Sequence, residues 1–169
     1  MKISQIITGA GKPFPSLEIV PPLRGITKNQ LLDSIRPFME FNPPYINVTS
    51  HRDEIEYVPQ ADGSFRKVAS RKRISETAVC GAIMGEFHIE TVPHLICGGA
   101  DAFQIDNLLT DFRFLGISNL VALRGDCLVG EKRFSPTPGG YSHASELIGA
   151  IREFDSADSV SQPFCIGVG

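Results

Sequence analysis

Short apolar runs that end in a polar residue alternate along this chain with longer stretches of helical periodicity. The runs are Ser16–Val20, Ile46–Thr49, Val92–Leu95 and Leu120–Asp126, and they carry Glu18, Thr49, His94 and Asp126 within them or at their ends. A carboxylate inside an apolar strand is costly unless something pairs with it. Strands that deliver polar groups to one common end are how a βα barrel builds an active site.

Between these runs the pattern predicts helices. Pro21 and Pro22 end the first strand. Thr27 and Gln30 then have capping-box spacing, opening a helix that buries Leu31, Leu32, Ile35, Phe38 and Met39 on one face, with Pro37 as a kink. Pro43 and Pro44 close it, and a second strand covers 45–49. In the long polar connection that follows, Asp62-Gly63 predicts a small hairpin between 55–58 and 65–68. A second helix is expected over 75–84 and a third strand over 90–97. Asp101 and Gln104 cap a third helix whose Ile105, Leu108, Leu109, Phe112 and Leu115 face inward, with Gly116 at its end. A fourth strand covers 119–123, a Pro/Gly-rich loop 135–140, and a fourth helix 142–154, presenting Ala144, Leu147, Ile148, Ile151 and Phe154. A fifth strand runs over 164–168.

The order βαβαβαβαβ implies an α/β fold, a parallel sheet with helices packed outside it. No GxGxxG follows a strand, which argues against a dinucleotide Rossmann domain. Gly9-Ala10-Gly11-Lys12 fails as a P-loop because Ile6 stands where the first glycine belongs. The expected fold is a (β/α)8 TIM barrel. Eight strands need roughly 250 residues, so 169 residues supply roughly the first half. A chain ending inside a buried strand is not how a finished domain ends. Residues 1–169 are therefore expected to be the N-terminal portion of one barrel domain whose remainder lies outside this chain.

Composition narrows the function. The chain is 42% hydrophobic and 21% charged with a net charge of -3, which argues against general nucleic-acid binding. No run is long enough to span a bilayer, and the N-terminus lacks a signal-peptide core, so a cytoplasmic protein without membrane association is expected. Cys80, Cys97, Cys127 and Cys165 form no CxxC pair. They suggest reduced packing cysteines, with neither a metal site nor a redox dithiol.

Several strings resemble one family in order and spacing. Ser16-Leu17-Glu18-Ile19-Val20-Pro21-Pro22 resembles the Phe-Glu-Phe-x-Pro-Pro opening of the methylenetetrahydrofolate reductases. Val48-Thr49 resembles their second-strand Val-Thr, and Pro93-His94-Leu95-Ile96-Cys97 their His-Leu-Thr-Cys. Gly116 to Asp126 resembles their Gly-Ile-x-Asn-x-x-Ala-Leu-Arg-Gly-Asp nearly throughout. The resemblance implies a βα barrel that binds FAD. NADH or NADPH would reduce the flavin, which then reduces 5,10-methylenetetrahydrofolate to 5-methyltetrahydrofolate for methionine synthesis. It also implies a homo-oligomer when the protein is full length.

Residue by residue, the resemblance assigns Glu18 and Asp126 as catalytic. Opening the folate ring at N10 needs a proton, and Glu18 matches the acid. Burial among Leu17, Ile19 and Val20 is expected to raise its pKa toward neutrality; a strand-end salt bridge is the equal alternative. Asp126 would stabilise a developing cation and make the flavin harder to reduce, against an alternative role capping the next helix. Thr49, Ser50, His94, Leu123, Arg124, Gly125, Asp126, His143 and Ala144 match cofactor-binding positions, and Glu18, Thr49 and Asp126 substrate-binding ones. His143-Ala144 stands where the family usually has Tyr-Ala, so either His143 or Tyr141 makes that contact. His51-Arg52 departs from the commoner Tyr-Gly. The basic residues Arg66, Lys67, Arg71, Lys72 and Arg73 read as a solvated loop face beside Asp53, Glu54 and Glu56, with attraction of an anionic cofactor or folate tail as the alternative. The readings that compete with the whole assignment are another FAD-linked oxidoreductase on this barrel and an inactive half-barrel used for packing.

Overall fold

Each parallel strand is a short run with one apolar face, and the helices bury their apolar stripes against that face. In the computed structural model, which describes residues 1–127, 132–157 and 162–169, the chain opens with helix α1 (Ile3–Gly9) and strand β1 (Leu17–Ile19). Helix α2 (Lys28–Ile35) runs into a 3-10 turn (Arg36–Phe41) and then β2 (Tyr45–Val48). A hairpin of β3 (Glu54–Pro59) and β4 (Phe65–Ser70) precedes α3 (Glu76–Phe87). There follow β5 (Glu90–Ile96), α4 (Ala102–Phe114), β6 (Asn119–Leu123), α5 (Ala144–Ala157) and β7 (Cys165–Val168).

Five of these strands form one parallel sheet in the order β1-β2-β5-β6-β7. Neighbours in the sheet follow the order of the chain. With right-handed crossovers, that order puts every connecting helix on the same face. The result is the wall of a TIM barrel rather than a doubly wound sheet. The core lies between sheet and helices: Ile46, Val48, Leu95, Leu120 and Ala122 from the strands and Phe164 just before β7 pack with Ile35, Ile83, Leu109, Phe112, Leu147 and Ile151 from the helices. Alternation along each strand then turns Glu18, Asn47, His94 and Val121 to the opposite, concave face. The register aligns Glu18 with Asn47, and His94 with Val121.

Local chemistry explains the helix starts. Thr27 Oγ1 accepts from the Gln30 amide at 3.3 Å while Gln30 Oε1 accepts from the Thr27 amide at 2.9 Å. Asp101 and Gln104 repeat the exchange at 2.8 and 2.9 Å. Gly116 follows α4 at φ +77°, a conformation that favours glycine. The hairpin closes through a three-residue turn. The Gly63 amide donates to Gln60 O, Gln60 N donates to Ser64 O, and Gly63 takes φ +84°.

Two expectations need correction. Helix α2 ends at Ile35 and does not carry its stripe through Phe38, which is 48% exposed. Pro37 has no amide to give an α-helical bond, so the chain tightens to three residues per turn and Phe38 turns outward, while Met39 still packs partly buried against the core. Helix α1 was not anticipated. It buries no residue, so it shows no stripe. It is tied instead to the amino end of β6, where the Ile3 amide donates to Asn119 Oδ1 at 2.7 Å and Asn119 Nδ2 donates to Met1 O at 2.8 Å.

Candidate active site

A cleft of about 740 Å³ opens at the carboxyl ends of the parallel strands. Thr49, Ser50, His94, Leu123, Arg124, Gly125, Asp126, His143 and Ala144 all line it. Glu18 is the one candidate outside that lining. It lies on the concave face beside it, with its Oε2 3.9 Å from His94 Nε2. The strand register explains the gathering: Glu18, Thr49 and His94 come from adjacent strands on one face, and Leu123 to Asp126 form the turn that leaves β6.

The polar groups differ in environment. Glu18 is 59% exposed, which corrects the expectation that Leu17, Ile19 and Val20 bury it. Leu17 and Ile19 point to the helices, so the alternation that buries them turns Glu18 to the open face. His94 is largely covered, and burial holds its imidazole below the usual range, against the upward pull of Glu18. His51 is held low by burial and by the nearby Arg73 guanidinium, and its Nε2 lies 3.0 Å from Thr49 Oγ1. Its neighbour Ser50 donates to Glu76 Oε1 at 3.3 Å. Glu76 is buried at the first turn of α3, and desolvation raises its carboxyl above the ordinary value.

The β6 turn has its own geometry. Gly125 takes φ +81°, and a Cβ there would come within 3.2 Å of Ile96 Cβ, so bare backbone faces this part of the cleft. The Arg124 guanidinium lies 5.4 Å from the centre of the Phe134 ring. Among the described residues it has no carboxylate within 4.0 Å. A guanidinium without a carboxylate partner among the described residues, a bare glycine turn, and apolar walls from Ile96, Leu123 and Ala144 fit an anionic group joined to a flat apolar ring.

His143 lines the cleft, whereas Tyr141 packs partly buried against the core. Arg71, Lys72 and Arg73 also line the cleft. The return arm of the hairpin is stitched to the loop after β1: Arg24 N donates to Lys72 O at 2.8 Å, and Ile74 N to Pro22 O at 3.0 Å. Arg71 and Lys72 do pair with Asp53 and Glu56 as the charge pattern suggested, while Arg66 and Lys67 remain exposed on the hairpin. Sequence reasoning missed Glu76 and gave Arg52 no role. A Glu after a helix-capping Ser and an Arg in a polar loop are both ordinary by spacing.

A one-sided parallel wall with its polar residues gathered at the strands' carboxyl ends defines part of a TIM barrel with a cleft at the face where such barrels carry their sites. The family model for methylenetetrahydrofolate reductase matches residues 2–169, and the chain belongs to that family. It is 27% identical over 150 residues to methylenetetrahydrofolate reductase (NADH) 1 of Arabidopsis thaliana, covering 86% of this chain and 22% of the relative. It is 27% identical to methylenetetrahydrofolate reductase 2 of Saccharomyces cerevisiae, covering 99% of this chain and 25% of that one. With the 5,10-methylenetetrahydrofolate reductase of Salmonella typhimurium the identity is again 27%, over 85% of this chain and 41% of the relative. The chain thus spans well under half the length of these relatives. Among solved structures, a mandelate oxidase mutant with a monooxide FMN adduct matches at a TM-score of 0.52 and 15% identity, over 97% of this chain and 43% of that one. That likeness concerns the fold alone.

Proposed function

We propose that the protein, in its full-length form, reduces 5,10-methylenetetrahydrofolate to 5-methyltetrahydrofolate, using FAD and NADH or NADPH. It would act as a cytoplasmic homo-oligomer supplying methyl groups for methionine synthesis. The observation that carries this reading is the convergence on one cleft of the family-matched residues from the ends of β2, β5 and β6 and the start of α5, with Glu18 of β1 beside it. A bound flavin would supply hydride transfer between the nicotinamide and the one-carbon unit.

The chain's own residues supply the rest. Ring opening requires a proton at folate N10, and the Glu18 carboxyl is the donor. Its place on the concave face beside the cleft leaves the carboxyl within reach of a folate bound there. Neutral His94 behind it accepts or donates a hydrogen bond without adding a competing charge. The Asp126 carboxylate, at the end of the β6 turn, stabilises positive charge as it develops on the one-carbon unit. Thr49 and Ser50 orient the reacting ring edge, and Arg124 receives the dinucleotide's diphosphate through charge-assisted hydrogen bonds. His143 and Ala144 close the far wall.

The test is spectroscopic. The full-length protein should purify yellow or become so with added FAD. NADH or NADPH should bleach it, and anaerobic methylenetetrahydrofolate should restore the colour. Absence of flavin bands after FAD addition overturns the cofactor; restoration by quinone dyes but not by the folate overturns the substrate.

A further inference from the structure

We propose that Arg52 is a positioning residue that holds the Asp126 turn in place by clamping three loops of the cleft together. The inference rests on the role just given to Asp126. Arg52 lies on the loop after β2. Its Nη1 donates to the backbone carbonyl of Asp126 at 3.2 Å, and its Nη2 donates to the carbonyl of Ser135 at 3.4 Å. Its Cζ lies 5.5 Å from the centre of the Phe134 ring, the same ring that Arg124 meets. The two arms of one planar fork thus tie the β6 turn to the segment around 134–135, and an aromatic ring holds the fork flat.

The seat for this side chain is built into a third loop. A Cβ at Gly98, just after β5, would lie 2.8 Å from Arg52 Nε and 3.0 Å from its Cδ, and one at Gly99 would lie 3.4 Å from its Cβ. A side chain at position 98 would therefore push Arg52 out. Nε itself is buried and has no hydrogen-bond partner among the described residues. Among the described residues no carboxylate lies within 4.0 Å of the guanidinium. A cation whose polar contacts among the described residues are backbone carbonyls serves geometry rather than charge balance. Lysine presents its donors from a single nitrogen and lacks the planar two-nitrogen fork that reaches both carbonyls and packs on the ring, so it replaces the clamp only in part, and alanine leaves both carbonyls and the ring unheld.

Arg52→Ala, Arg52→Lys and Gly98→Ala in the full-length protein test this. Gly98→Ala displaces the guanidinium without removing any polar group. Tryptic cleavage after Arg133 under native conditions reports how often the clamped segment opens. Cleavage should accelerate on the order of tenfold in Arg52→Ala and Gly98→Ala, as loss of hydrogen bonds from a charged donor implies, and by less in Arg52→Lys. In the same order, folate-dependent flavin reoxidation should fall while flavin reduction by NADH or NADPH is retained. Unchanged cleavage in both alanine variants overturns the clamp, as does equal loss of both half-reactions with a lowered melting temperature. If Arg52→Ala does not fold, Gly98→Ala and Arg52→Lys decide on the same criteria. A parent protein without folate-dependent reoxidation overturns the reaction instead, and the cleavage order alone then decides whether Arg52 clamps.

Discussion

His94 Nε2 lies 3.9 Å from Glu18 Oε2, across the strand that separates β1 from β5. Burial keeps the imidazole below its usual pKa although the carboxylate pulls it up. Replacing Glu18 by Gln removes the pull and leaves the burial. The His94 titration, followed by NMR, should therefore move further down. The same variant keeps the side chain's shape but cannot supply a proton. Folate reduction should fall by at least the roughly hundredfold typical of lost general-acid catalysis, while reduction of the flavin by NADH or NADPH survives. Stopped-flow measurement of each half-reaction checks the split; equal loss of both would make Glu18 a support of the pocket rather than its acid.

Asp126→Asn should keep the fold, because the Arg52 contact is to the Asp126 backbone carbonyl and not to its carboxylate. It should slow the folate half-reaction and raise the flavin midpoint potential, since a nearby anion disfavours the reduced, anionic flavin. Redox titration of variant against parent decides, and an equal or lower potential contradicts the assignment.

Glu76 makes a prediction about pH and stability. Its carboxyl is raised above the ordinary 4.5, chiefly by burial, so the native state binds more protons than the unfolded state above that pH. Stability contributed by this group therefore declines as pH rises from about 4.5 through the native pKa, and is flat beyond. Glu76→Gln should abolish that part of the slope and be at least as resistant to urea at pH 7 as the parent. Urea midpoints from pH 4 to pH 8 provide the check, and an unchanged slope would refute it.

Asp155 is a structural counterpart. Its buried carboxylate accepts from Arg113 Nη2 at 2.6 Å and Arg152 Nη1 at 3.0 Å, and both its oxygens accept from the Phe164 amide, at 3.2 and 3.1 Å. Asp155→Ala strands the Arg113 cation among Phe154 and Phe164. It should cost about 3–5 kcal/mol by chemical denaturation, the range for breaking one side of a buried ion pair. The chemistry of the molecules that remain folded should be unaltered.

What was readable beforehand was what neighbours in the chain decide. Thr27 with Gln30, and Asp101 with Gln104, are partners three residues apart, and the strand alternation that buries Ile46 and Val48 needs no knowledge of the rest. Helix α1 could not be read because its tie is to Asn119, 116 residues away. The exposure of Glu18 was misjudged because an apolar run says that a strand is covered without saying on which side. The family-matched residues of the cleft were legible as strings. Glu76, Arg52 and the arm bearing Arg73 were not, since their place in the cleft comes from the Leu23–Arg73 bridge and from contacts between loops.

The ties at the amino ends of the strands, from Asn119 to Met1 and Ile3 and from Glu90 to the terminal ammonium, are a strand's length from the cleft. Five residues of β6 span about 17 Å, beyond the distance at which two substitutions ordinarily influence one another. Laboratory evolution could thus treat the two ends as separate libraries, accumulating robustness at one while exploring new substrates at the other, with the gains simply adding.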